Sequence, residues 1–292
     1  MPSLKDVKMK IVGVGKTKQI TKAMGMVASA KLRGAQSRIE RFRPYAAKYR
    51  QVIGELAAKV DGVSHPLLTE HEEKKRCCII LVTSDRGLCG GFNAGIIAEG
   101  LRLARDRAAE GLEVSFLCVG RKGRDAIRKS DFALGTSFGD RMGSVDFPLA
   151  STVAVEVIHG YEKLELDEVW LVYGEFLSMA KQPPASLRLL PLKAPGAESG
   201  PDSGPQCEYV YEPSEARLLE DLLPRYVKVQ VYSGLLDTAA SEHAARMAAM
   251  DNATRNCDEL INTLTLLYNK TRQASITSEL IDIVGGAEAL KG

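Results

Sequence analysis

No stretch of this 292-residue sequence approaches the roughly 18 to 20 consecutive apolar residues that a membrane-spanning helix needs. Its first residues, Met1-Pro-Ser-Leu-Lys5, lack the apolar core of a signal peptide. The expectation is a soluble chain whose association with any membrane is peripheral. Metal-site spacing is missing too. The six cysteines, at 77, 78, 89, 118, 207 and 257, make no Cys-x-x-Cys pair, and the four histidines, at 65, 71, 159 and 243, are scattered. That excludes a clustered zinc-type ligand set and fits a reducing compartment. Carboxylates offer no better active site. Glu72-Glu73 and Glu220-Asp221 are sequence neighbours, and neighbours on a helix point in different directions.

What is present is charge, unevenly spread. The whole chain carries a net charge of +2, yet residues 1–60 hold nine lysines and five arginines against Asp6, Glu40 and Glu55. That is +11, which leaves −9 for the remainder. A solvated helix face accounts for such a bias; so would nucleic acid, an anionic membrane surface or an acidic protein partner.

Alternating steps of three and four from Leu4 pick out Val7, Ile11, Val14, Lys18, Thr21, Gly25, Ala28, Leu32, Ala35, Ile39, Phe42, Ala46, Tyr49, Ile53, Leu56 and Val60. A 3.5-residue apolar repeat keeps one seam toward a partner, so residues 1–60 read as a coiled-coil helix, interrupted at Lys18, Thr21 and Gly25 and bent at Pro44. Small residues at Gly25 and Ala28 would admit another backbone. Beyond Pro224, seven-residue spacing gives Val229, Leu236, His243, Met250, Cys257 and Leu264, with Tyr232, Ala239, Ala253, Leu260, Leu267, Ala274 and Ile281 between them. No proline interrupts 225–286, a span of roughly 90 Å if helical throughout. Two such helices in one chain pair most economically with each other, antiparallel.

Between them, about 75–212, the texture changes. Apolar, partly β-branched runs at 77–83, 114–119 and 169–176 alternate with helix-like stretches at 93–110, 121–129 and 147–164, the pattern of an α/β layer on a mostly parallel sheet. Leu187–Leu192 and Tyr209–Tyr211 read as an added hairpin, joined by a loop rich in glycine and proline at 193–208. Residues 213–292 then form the second long helix.

Two motifs imitate nucleotide sites. Gly13-Val-Gly-Lys-Thr17 resembles the end of a phosphate-binding loop, but Lys10 stands where its first glycine belongs, and Val14 is on the heptad seam. Gly87-Leu-Cys-Gly-Gly-Phe-Asn93 follows a strand and precedes a helix, where an α/β fold would bind phosphate. Its spacing is not Gly-x-Gly-x-x-Gly, and a tight turn with Cys89 buried is the favoured reading. A nucleotide-binding enzyme using residues 87–91 and a free coiled-coil adaptor for acidic partners remain as alternatives.

Five further segments carry a resemblance. Ile20-Thr-Lys-Ala-Met24-Gly-Met-Val-Ala28 with Lys31-Leu-Arg33, then Ser84-Asp-Arg-Gly-Leu-Cys-Gly-Gly-Phe-Asn93, Ala245-Arg-Met-Ala-Ala-Met250, Tyr268-Asn-Lys-Thr-Arg-Gln-Ala-Ser-Ile276 and Ile276-Thr-Ser-Glu279-Leu-Ile-Asp282-Ile-Val-Gly-Gly286-Ala287 resemble, in order, the gamma subunit of ATP synthase. The resemblance spans essentially the whole chain. It implies an α/β protein: an antiparallel two-helix coiled coil from the chain ends plus a Rossmann-like middle domain. It also implies a rotor without catalytic, cofactor or metal residues. Such a rotor, one copy per complex, turns inside a ring of three alpha and three beta subunits and stands on a membrane c-ring with the epsilon subunit, alongside delta, a and b. The basic amino-terminal helix would meet an acidic segment of the beta subunits. By motif position Met24 and Arg246 resemble shaft residues near those segments, and Gln273, Thr277 and Glu279 resemble the polar set that engages a beta-subunit loop. A bacterial origin, at the cytoplasmic face of the inner membrane, is expected. The plastid regulatory dithiol is not, since the 193–208 loop has only Cys207.

Overall fold

The computed structural model describes residues 3–59, 65–192 and 215–289. In chain order the elements are α1 (Leu4–Lys59), β1 (Arg76–Val82), α2 (Phe92–Ala109), β2 (Glu113–Val119) and α3 (Arg121–Ile127). They continue with β3 (Ala133–Phe138), α4 (Phe147–Glu162), β4 (Glu168–Gly174), β5 (Pro184–Leu190) and α5 (Glu215–Ala289). The chain divides into two compact units, Met1–Ala28 with Met247–Gly292, and Ser29–Arg246.

The first unit is an antiparallel helix pair. Ser3 opens α1 with a capping box: its hydroxyl accepts from Asp6 N and donates to the Asp6 carboxylate, which also accepts from Ser3 N. Lys18 pairs with Asp258, the hydroxyls of Thr21 and Thr254 lie 2.8 Å apart, and an added Cβ on Gly25 would stand 3.6 Å from Met250 Cβ. Partners ascend one helix as they descend the other, as the heptads predict. Every seam position of α1 described from Leu4 to Ile53 is buried or half-buried. On α5 the seam holds at Met250, Ala253, Cys257 and Leu264, but farther along its other half shifts to Ile261 and Tyr268 rather than Leu260 and Leu267. Leu260 and Leu267 are exposed. In this register Leu4 stands level with about Arg272, so 273–289 continue alone for about 25 Å.

The second unit is built on a five-stranded sheet of order β3-β2-β1-β4-β5, parallel except for β5. Strand β1 is buried on both faces, as its unbroken apolar run requires. Cys77, Ile79 and Leu81 pack with Phe92, Ile96 and Leu103 of α2, while Cys78, facing the opposite way, lies near Glu156 of α4. Asp146 caps α4 by accepting from Leu149 N at 3.0 Å. The edge strand β3 was not legible: Ala-Leu-Gly-Thr-Ser-Phe is half-exposed and carries no apolar run. Helix α5 begins ahead of Pro224, because Leu219, Leu223, Tyr226 and Val227 bury there and packing outweighs one missing hydrogen bond. Helix α1 likewise continues through Pro44. The expected strand at Tyr209–Tyr211 and the loop at 193–208 lie outside the described residues.

Candidate functional site

Strand order reverses between β1 and β4, and open α/β sheets bind ligands at the carboxyl ends of strands flanking such a switch. Here that place is occupied by the chain itself. After β1, Ser84 donates to Arg86 O at 2.6 Å and accepts from Asn93 Nδ2 at 2.8 Å, while Asn93 Oδ1 receives Ser84 N. Buried Asp85 accepts three backbone N–H groups, from Arg121, Asp140 and Met142, and so ties the turn to α3 and the loop after β3. Gly120, at φ 101°, has no room for a side chain: a Cβ would lie 2.1 Å from Thr83 O.

Helix α5 covers what remains. Thr238 Oγ1 accepts from Gly174 N and Ser241 Oγ donates to Gly174 O, each at 3.2 Å, at the end of β4. Arg246 Nη2 donates to Gly87 O at 3.1 Å and to the Glu242 carboxylate at 2.7 Å. Burial pushes the Glu242 carboxyl up, opposed by the charge and hydrogen bond of Arg246. Burial also raises the Cys89 thiol, outweighing the Arg246 charge and the Asn93 Nδ2 donor 3.2 Å from its sulfur, so the nucleophilic thiolate is disfavoured. Among the described residues no group of three or more His, Cys, Asp and Glu side chains could hold a metal ion. Gly13–Thr17 lie inside α1, where backbone N–H groups bond carbonyls one turn back and cannot cradle a phosphate.

The residues singled out by motif fall in different settings. Arg246 is the end of this buried network, with a side chain only 11% exposed. Met24 is half-buried on the helix pair. Gln273, Thr277 and Glu279 are exposed on the unaccompanied end of α5, with Thr277 Oγ1 bonded to Gln273 O at 2.9 Å and Ser275 Oγ to Glu279 at 3.4 Å. Around them Ile276, Leu280, Ile281, Ile283 and Val284 are uncovered, and a shallow apolar groove runs over Leu280, Ile281 and Val284. The basic side chains Lys5, Lys8, Lys10, Lys16, Lys22, Lys31 and Arg33 of α1 are likewise exposed. Sequence reasoning missed Thr238, Ser241 and Glu242; the available signal was hydroxyl and carboxyl side chains recurring in an alanine-rich stretch.

Residues 3–290 match the family described as ATP synthase. The chain is 64% identical over 292 residues to the ATP synthase gamma chain of Nitratidesulfovibrio vulgaris Hildenborough, and 56% identical over 291 residues to that of Lawsonia intracellularis, covering all of each. A chain of the Tetrahymena thermophila mitochondrial ATP synthase central stalk and c-ring superposes with a TM-score of 0.59 at 27% identity, covering 80% of this chain and 99% of that one. A Euglena gracilis mitochondrial ATP synthase chain shares the fold, with a TM-score of 0.64 at 22% identity over 98% of this chain and 94% of its own.

Proposed function

We propose, since this chain belongs to the ATP synthase gamma-chain family, that it is the central-stalk rotor of a rotary ATP synthase. It is a non-catalytic subunit that carries torque between a membrane c-ring and three catalytic beta subunits. The observation that carries this reading is the antiparallel helix pair ending in a single helix with apolar and polar side chains uncovered on all sides. An isolated protein rarely leaves so much apolar surface in water, and a surrounding sleeve of alpha and beta subunits supplies the cover. An asymmetric shaft touches three otherwise identical sites differently, and such differential contact is what shifts their conformational equilibria in turn.

In this reading the amino-terminal helix of residues 1–60 and the helix of 213–292 form the shaft, and the domain of 75–212 stands on the c-ring with epsilon; delta, a and b complete the complex. The chain is then peripheral at the cytoplasmic face of a bacterial inner membrane. Met24 and the exposed lysines of α1 meet an acidic beta-subunit segment, and Gln273, Thr277 and Glu279 engage a beta-subunit loop. Arg246 joins them through the part of its guanidinium not spent on Glu242 and Gly87, since both of those bonds use Nη2.

The test is made on the assembled complex. Removing the chain from Ser275 onward is expected to leave ATP hydrolysis by the ring but to weaken its coupling to ion pumping, and a cysteine at Thr277 or Met24 is expected to crosslink to beta. Intact coupling after truncation, together with no crosslink from either position, would remove these site assignments. Saturable nucleotide binding by the isolated chain would instead favour a nucleotide enzyme, a reading the side chains of α5 in the switch-point crevice oppose.

A further inference from the structure

Torque has to pass between the sheet and α5, and apolar packing alone resists this poorly, because it is non-directional and tolerates sliding. The second unit holds a directional link at Gly174. Both ladders give out around this residue. The pairing of β4 with β1 ends at Val172, and opposite Gly174 on β5 stands Pro184, which has no N–H to give. The backbone N–H and C=O of Gly174 are taken instead by α5: Thr238 accepts the one and Ser241 donates to the other. Both hydroxyl side chains are fully buried.

Gly234 allows α5 this close, and Gly174 admits α2 from the opposite side. On the α5 side a Cβ on Gly234 would lie 2.8 Å from Leu171 Cδ2; on the other side a Cβ on Gly174 would lie 2.5 Å from the Phe92 ring of α2, which fixes Gly174 between the two helices. Thr238 and Ser241 are three apart, so they share one face of α5. Because one side chain accepts and the other donates, the pair fits a single height and a single rotation of the helix. Turning α5 about its axis, or sliding it by one turn, leaves the Gly174 N–H and C=O buried without these partners, which the interior tolerates poorly, although the two hydroxyls can turn to carbonyls one turn back on their own helix.

We propose that the Thr238–Gly174–Ser241 clamp is the torsional coupling through which the sheet of this rotor drives α5. The proposal rests on the rotor reading and assigns positioning roles, since neither residue touches a reacting group. The test uses the complete complex, with Thr238→Val and Ser241→Ala made together and, separately, the isosteric Thr238→Val alone. Two quantities are read besides thermal stability: the torsional stiffness of the rotor, from single-molecule angular fluctuations with the alpha/beta ring fixed and a probe on the sheet domain, and the ions pumped per ATP. Expected are a softer rotor and fewer ions pumped per ATP in both variants, with unloaded hydrolysis retained and stiffness restored by Thr238→Ser. Unchanged stiffness and unchanged pumping in Thr238→Val, whatever its stability, overturn the clamp. A wild-type chain that forms no rotating complex overturns the rotor reading itself, so the two failures are distinct.

Discussion

Asp237 and His243, six residues apart on α5, pull the pH response of the fold in opposite directions. Burial, reinforced by Glu175 and opposed by Arg43, pushes the Asp237 carboxyl up to about 6. Burial, reinforced by Arg246, Lys31 and Arg38, pushes the His243 imidazole down to about 4, and its Nδ1 is buried without a hydrogen-bond partner. For Asp237 the folded state binds more protons than the unfolded one between about pH 4 and 6, so stability falls as pH rises through that window. For His243 the unfolded state binds more protons between about 4 and 6.5, so stability rises with pH there. Each is worth about 2 to 3 kcal/mol at most, and over the shared window the slopes nearly cancel. We predict that Asp237→Asn uncovers a stability that climbs from pH 4 to 6.5 and exceeds wild type at pH 7, and that His243→Gln uncovers one that declines from pH 4 to 6. Urea denaturation at a series of pH values reads both; parallel curves for the two variants would show that neither group titrates as described.

At the scale of elements, glycine decides how closely helices approach, and the same substitution has opposite signs at two positions. Gly25 in α1 faces Met250, and an added Cβ would sit at 3.6 Å, ordinary van der Waals contact, while alanine gains about 0.5 to 1 kcal/mol over glycine inside a helix. Gly234 in α5 faces the fully buried Leu171 at 2.8 Å, and overpacking a filled core costs about 1 to 3 kcal/mol. Gly25→Ala should therefore raise the thermal midpoint and Gly234→Ala lower it; a gain at Gly234 would show that Leu171 has room to move. These elements also mark what the sequence could disclose. The α1 seam was legible at each described position because its neighbours there are mostly charged or polar. On α5 the choice between Leu260 and Ile261, or Leu267 and Tyr268, was open, since both members of each pair are apolar and a heptad drifts against 3.6 residues per turn. The strand β3 escaped for want of apolar residues. The grip of Thr238 and Ser241 on Gly174 escaped because its partner is backbone, which leaves no mark in a residue pattern.

At the scale of the whole molecule, charge does what neither fold nor packing can. The chain is nearly neutral, yet residues 1–60 carry +11; of the described side chains in that stretch Lys5, Lys8, Lys10, Lys16, Lys22, Lys31 and Arg33 stand in solvent, while Lys18 pairs with Asp258 across the helix seam. Exposed like charges on one helix repel and lower its stability slightly. In the proposed rotor their use is external, toward an acidic partner, where complementarity acts mainly on the rate and specificity of association. At physiological ionic strength the screening length is about 8 Å, so several neighbouring charges act together while distant ones do not. Neutralising Lys22, Lys31 and Arg33 to glutamine is predicted to slow assembly with the alpha/beta ring on the order of ten-fold at low salt and to flatten its salt dependence, while leaving the fold and its thermal midpoint almost unchanged. Stopped-flow association at increasing salt measures both effects. A wild-type rate indifferent to salt would mean that these charges serve only to keep the helix soluble, and the acidic partner would have to be sought elsewhere on the chain.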